Sequence, residues 1–194
     1  MLGCGPVARR AYNSGIAYQK RGAHIKALEQ FRTAVQYQPD FHDAHLAMGI
    51  SYAHVEGFDK AEQALRKALE LEPNNVDDRR WLGHVYNELG KLEPALAISQ
   101  EAIALDPTCS ACFTNLGVTY FKKDLHEFAA REFRHAASLN PEDPIPHNYL
   151  GVISLLTGEC EDAIHWFIRV EDIQGENAEL CYNLGSAYHL CENW

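Results

Sequence analysis

Apolar residues return at three- and four-residue steps along almost the whole chain, the spacing that gathers them on one face of a helix. Around Gly117 the set is Phe113, Leu116, Val118 and Tyr120; around Ala129 it is Leu125, Ala129, Phe133, Ala136 and Leu139. Both stretches predict amphipathic helices, and no strand is visible. Between the helices of a pair, Gly22, Gly57, Gly90 and Gly158 are expected to supply a left-handed residue that closes the first helix.

The pattern has a longer period. Glycines fall at Gly15, Gly49, Gly83, Gly117, Gly151 and Gly185, each 34 residues after the last. With 13 glycines in 194 residues, five further coincidences have a chance of roughly one in a million. Alanines share the register at Ala27, Ala61, Ala95, Ala129 and Ala163, prolines at Pro39, Pro73, Pro107 and Pro141, and tyrosines at Tyr18, Tyr52, Tyr86, Tyr120 and Tyr188. Three positions depart from it. Ser154 stands in the tyrosine column, Gly175 in the proline column, and Ser99 where other units hold Phe31, Leu65, Phe133 and Phe167. Glycine and alanine columns lack bulk because the two helices of a unit cross closely there.

A 34-residue helix-turn-helix with these columns resembles the tetratricopeptide repeat family, over residues from about Val7 to Trp194. The resemblance implies an all-α, right-handed α-solenoid of stacked helix pairs, with one continuous elongated core and a concave face lined by the first helices. Residues 1–6 are expected to be a disordered leader, 7–177 five repeats, and 178–194 the first helix of a sixth repeat. That unit stops before its second helix, so the sequence is expected to be cut short there.

The resemblance also implies a function: a protein-interaction scaffold, not an enzyme, whose groove binds a peptide or helix of a partner. Candidate groove residues are Tyr12, Asn13, Ile16, Ile50, Arg80, Trp81, His84, Asn115, Val118, Asn148, Tyr149, Tyr182 and Asn183. Asn13, Asn115 and Asn183 stand two residues before the column glycine, where the family's asparagines hydrogen-bond an extended peptide; an amide suits this because it both donates and accepts. Ala47, Trp81 and Tyr149 interrupt that column. Trp81, beside Arg80 and His84, is the candidate anchor, since aromatic and arginine side chains carry much of the energy of interfaces. The family's chaperone-binding members clamp a terminal carboxylate with lysine and asparagine, and here Tyr12 and Ile16 hold those places, so no such clamp is expected. The alternatives are the recognition arm of a larger enzyme, such as an O-linked N-acetylglucosamine transferase, and a bacterial envelope lipoprotein assembly factor.

Charge narrows the partners. Seventeen Lys plus Arg against 27 Asp plus Glu leave −10, and gripping a phosphate backbone needs a basic face, so no nucleic acid is expected. On the groove positions Arg9, Lys20, Arg80 and Lys122 balance Asp43, Asp77, Glu88 and Glu179. The longest apolar stretch, around Val152 to Leu156, falls far short of the roughly 18–20 residues of a membrane span. Met1 to Pro6 are too short for a signal peptide, which leads to the expectation of a cytoplasmic location without membrane contact. Leu2-Gly3-Cys4 resembles the end of a bacterial lipoprotein signal, so a start further upstream would make Cys4 a lipid anchor.

Six cysteines are too sparse for a disulfide-built scaffold. Cys109 and Cys112 form a C-x-x-C where a loop enters a helix; the spacing permits a disulfide, but dithiol oxidoreductases carry the motif after a strand, so both are expected to stay reduced. His42 and His45 are three apart on one helix, a metal-binding spacing without an evident third ligand. His45 and His147 share the column of Phe113 and are expected to be hydrogen-bonded core histidines, while His84 and His189 face the groove. Without a Ser-His-Asp order, a phosphate loop or a carboxylate pair, no catalysis, cofactor or metal is expected.

Overall fold

The computed structural model describes residues 4–192. Met1 to Gly3, the Cys4 side chain, Asn193 and Trp194 lie outside the described residues, and so does the lipidation expected at Cys4. Helices follow one another throughout: α1 (Cys4–Gln19), α2 (His24–Tyr37), α3 (His42–His54), α4 (Phe58–Leu71), α5 (Val76–Glu88), α6 (Leu92–Leu105), α7 (Ser110–Lys122), α8 (His126–Leu139), α9 (Pro144–Thr157), α10 (Cys160–Gln174) and α11 (Ala178–Glu192). No strand occurs among the described residues. Gly5 and Pro6, expected in the leader, belong to α1. Proline is tolerated there because the first turn of a helix leaves its N–H groups unpaired in any case.

Each odd-numbered helix up to α9 packs on the even-numbered one after it, and α11 packs back on α10. The crossings explain the glycine column. A Cβ on Gly49, Gly117 or Gly151 would come within 2.5–2.7 Å of Leu65, Phe133 or Phe167, and one on Gly15 would collide with Phe31. Those four side chains are fully buried, each worth about 1.5–3 kcal/mol of apolar transfer. Gly185 differs, with nothing within 4 Å of the place a Cβ would take.

The chain divides into two compact units, Met1–Leu105 and Asp106–Trp194. Each has its own buried clusters, around Phe31 and Leu65 in the first and around Phe133 and Phe167 in the second. The division follows α6, where buried Ser99 takes the place of Phe or Leu and supplies the least apolar bulk of that column.

The turn glycines also need correcting at one place. Between the two helices of a pair the left-handed residues are Gly22, Glu56, Gly90, Asp124 and Gly158, with φ between 57° and 81°. All five stand seven residues after a column glycine. Gly57 is one residue off that register and has φ −83° as the residue preceding α4. Turn geometry is set by the repeat, and Glu56 adopts it despite its side chain.

Candidate functional site

In the first unit, α1 supplies Tyr12, Asn13 and Ile16. Tyr12 is half-buried, 5.0 Å from Phe41 and 6.0 Å from Phe31 between ring centroids. Burial raises its phenol above the ordinary range, Asp43 adding to the effect and Arg9 opposing it. Ile16 packs against the cluster of Ala27, Phe31 and Ala47, Asn13 is exposed beside them, and Ile50 is half-buried on α3.

Trp81 leans on the cluster of Leu28, Leu65 and Leu82 while remaining half-exposed. Its ring meets His54 and His84 edge-on at 5.8 Å, and the Arg80 guanidinium lies 5.0 Å from its centroid, itself hydrogen-bonded to Asp77 at 2.8 Å. His54 in turn stacks on His24 at 4.4 Å. Burial, and then the neighbouring His54, lower the His24 pKa. The anchor expected from the sequence is therefore part of an aromatic patch that α2, α3 and α5 build together, and His24 and His54 were not among the expected residues.

In the second unit, Val118 packs against the Phe133 cluster and Asn115 is half-buried on the same helix. Tyr149 lies flat on Phe133, 4.7 Å away at 9° between planes, with Phe121 edge-on at 5.2 Å. The outer part of Tyr149 and Asn148 open into a cleft of about 260 Å³ between α9 and α11, bordered also by Pro144, Ile145, Gln174, Asn177, Glu179 and Leu180. Further along α11, Tyr182 is 74% exposed and Asn183 half-buried.

Register could have flagged two of the cleft residues, since Ile145 and Glu179 each stand six before a column glycine. Asn177 is placed by capping: its side-chain oxygen accepts from the Leu180 N–H at 2.9 Å and opens α11. Gln174, at the end of α10, carries no signal in the sequence. Expected groove residues thus gather at two places, Arg80–Trp81–His84 in the first unit and Asn148–Tyr149 in the second.

His45 and His147 are buried and each is hydrogen-bonded through Nε2, while neither Nδ1 has a hydrogen-bond partner. His45 Nε2 lies 2.8 Å from the Pro39 carbonyl and His147 Nε2 3.1 Å from that of Pro141, so both tie a helix to the turn before it. His42 has another partner, buried Asp78, at 2.8 Å. Its Nδ1 faces Asp43 at 3.3 Å and Glu72 at 3.5 Å. With carboxylates at both nitrogens the imidazolium, donor at each, is the fitting form. Among the described residues no group of three or more His, Cys, Asp or Glu side chains could hold a metal ion.

The cysteines correct the sequence reading. Cys109 and Cys112 are joined in a disulfide, their Cα atoms 5.3 Å apart. The capping turn that opens α7 brings them within bridging distance without any strand. A second bridge, Cys160–Cys191, ties the start of α10 to the end of α11. Cys181 is free and exposed.

An all-helical array of antiparallel pairs with a close-crossing small-residue column is an α-solenoid repeat protein. The tetratricopeptide repeat family model matches residues 56–116. Human tetratricopeptide repeat protein 13 is 28% identical over 172 residues, covering 86% of this chain and 20% of that protein. Bovine BBSome complex member BBS4 is 28% identical over 134 residues, covering 69% of this chain and 24% of its own length. The chain thus spans about a fifth to a quarter of these relatives. Among solved structures, TTC0263, a thermophilic TPR protein of Thermus thermophilus, superposes with TM-score 0.79 at 17% identity, covering 94% of this chain and 99% of that one. PilW, a type IV pilus biogenesis factor, gives 0.79 at 19%, covering 96% and 91%. YrrB, a TPR protein with an unusual peptide-binding site, gives 0.66 at 20%, covering 94% and 90%. The chain has the fold of the tetratricopeptide repeat proteins, a fold that supports protein–protein interaction in general.

Proposed function

We propose that the chain is a non-catalytic scaffold that binds an extended peptide of a partner protein along its first helices, with the α9–α11 cleft as a principal subsite. The cleft itself carries this reading. It sets the amides of Asn148, Gln174 and Asn177 beside the apolar Ile145, Tyr149 and Leu180, so backbone groups and one apolar side chain of a peptide could both be met. Among the described residues on its border Glu179 is the one charged side chain, which favours a neutral or basic residue at that point. Trp81 with Arg80 and His84 offers a second anchor in the first unit.

Disulfides persist in oxidising compartments and are rare in the cytosol. The two bridges therefore favour such a compartment over the cytoplasm expected from the sequence. A second reading, the recognition arm of a larger enzyme, draws support from a 25% identical match over 134 residues to human protein O-mannosyl-transferase TMTC1, 15% of whose length the chain covers.

The test is selection of peptides from a random library on the folded protein, followed by calorimetric titration of the winners. Asn148→Ala, or Trp81→Ala for peptides that reach it, is expected to weaken binding at least about tenfold, or 1.4 kcal/mol, with helical circular dichroism retained. Unchanged affinity in both variants overturns the reading.

A further inference from the structure

The two disulfides differ in what the fold requires of them. Cys160–Cys191 closes 31 residues of chain and joins two helices at their far ends. Cys109–Cys112 closes a turn that hydrogen bonds already hold: the Cys112 N–H donates to the Cys109 carbonyl at 3.0 Å and to the Cys109 sulfur at 3.2 Å, and the Cys109 N–H donates to the Asp106 carbonyl at 3.2 Å. A loop so short removes little entropy from the unfolded chain. Opening this bridge leaves those hydrogen bonds in place.

The surroundings also suit exchange. Cys109 caps α7, a helix of 13 residues, and its sulfur faces the first-turn N–H of Cys112, an arrangement that stabilises a thiolate. Its side chain is partly open to solvent, whereas Cys112 is fully buried, so only one sulfur of the pair offers itself to a reagent. The nearest carboxylate in sequence, Asp106, is engaged with the Thr108 N–H at 2.9 Å and the Thr108 hydroxyl at 2.7 Å.

We propose that Cys109–Cys112 is a thiol–disulfide exchange site that accepts electrons from a dithiol reductant through Cys109. One thiolate of the reductant attacks Cys109 Sγ, the Cys109–Cys112 bond breaks, and its electron pair leaves on Cys112 Sγ, which takes up a proton. The second thiolate of the reductant then attacks its own sulfur bound to Cys109. Cys109 is released as a thiolate facing the Cys112 N–H, and the reductant departs as a cyclic disulfide, so two electrons pass to the bridge.

The experiment blocks free thiols of the intact protein with iodoacetamide, equilibrates it with mixtures of reduced and oxidised dithiothreitol, and labels new thiols with N-ethylmaleimide for peptide mass spectrometry. Cys109 and Cys112 are expected to open at a reductant ratio at least about tenfold lower than Cys160 and Cys191, with helical circular dichroism unchanged. In parallel, Cys112→Ser should capture oxidised glutathione on Cys109, and Cys109→Ser should leave Cys112 unmodified. The proposal is overturned if both bridges open at one ratio, if opening Cys109–Cys112 melts helix, if Cys109→Ser captures glutathione as readily, or if the pair is found reduced and fails to close with oxidised dithiothreitol.

Discussion

Gly117 and Gly185 share a column and live in different surroundings. A methyl group on Gly117 would meet the Phe133 ring, which fills the crossing of α7 and α8, whereas one on Gly185 would meet nothing. Gly117→Ala is therefore expected to destabilise by about 1–3 kcal/mol through overpacking. Gly185→Ala should stabilise by up to about 1 kcal/mol through helix propensity. Urea unfolding of both variants checks the pair, and equal effects would contradict the wedge account.

His42 belongs to the same scale. Burial lowers its pKa, but Asp78, Asp43 and Glu72 outweigh that and raise it above 6.5. Burial raises the Asp78 carboxyl, with His42 opposing. A raised folded pKa means that the folded state holds its proton more tightly, so the His42 contribution is full below pH 6.5 and fades as pH rises through the raised value. His24, lowered by burial and His54, pulls the other way. The difference between the protein and His42→Gln isolates the clasp. It should be largest at about pH 5.5 and shrink toward about pH 8.5 in urea titrations, and a pH-independent difference would contradict a charged His42. The columns made the wedge legible in sequence, whereas His42 and Asp78 stand 36 residues apart in different columns and meet only once α3 and α5 are packed.

The helices were legible as elements because each combines an apolar face with a stop at fixed register; α4 and α6 begin at Phe58 and Leu92, where the repeat puts second helices. Glu56 and Asp124 were not legible as left-handed residues, because composition points to glycine while the turn imposes its geometry on whatever stands seven after the column. The Cys160–Cys191 bridge was missed for a related reason. Reading cysteines by close spacing draws the eye to Cys109 and Cys112, but antiparallel packing brings the start of α10 to the end of α11, and only pairing of whole helices shows it. In the chain-entropy account a bridge across 31 residues is worth about 3–4 kcal/mol. Replacing Cys160 and Cys191 together by serine should lower the unfolding free energy of the second unit by about that amount, read from chemical denaturation under non-reducing conditions; a loss below about 1 kcal/mol would show that α10 and α11 hold without it.

At the scale of the molecule, the repeat was open to the sequence and the division after Leu105 was not, since the glycine, alanine, proline and tyrosine columns continue across it in regular steps and Ser99 alone interrupts the Phe/Leu column. The groove was legible only as a set of register positions. Those one residue after and two or three before the glycine sit at the margin between the first-helix face and the packing face, which is why Tyr12, Ile16, Val118 and Tyr149 spend part of their surface on Phe31, Phe41 and Phe133. Asn148 lacks that double duty: it borders the α9–α11 cleft, whereas Ile168 is exposed on α10 and does not border it. The most direct measurement places a photo-crosslinking benzoylphenylalanine at 148 in one sample and at 168 in another and irradiates each with a library-selected peptide. Binding along the first helices predicts a covalent adduct from position 148 and none from 168; an adduct from 168 alone, or equal adducts from both, would contradict it.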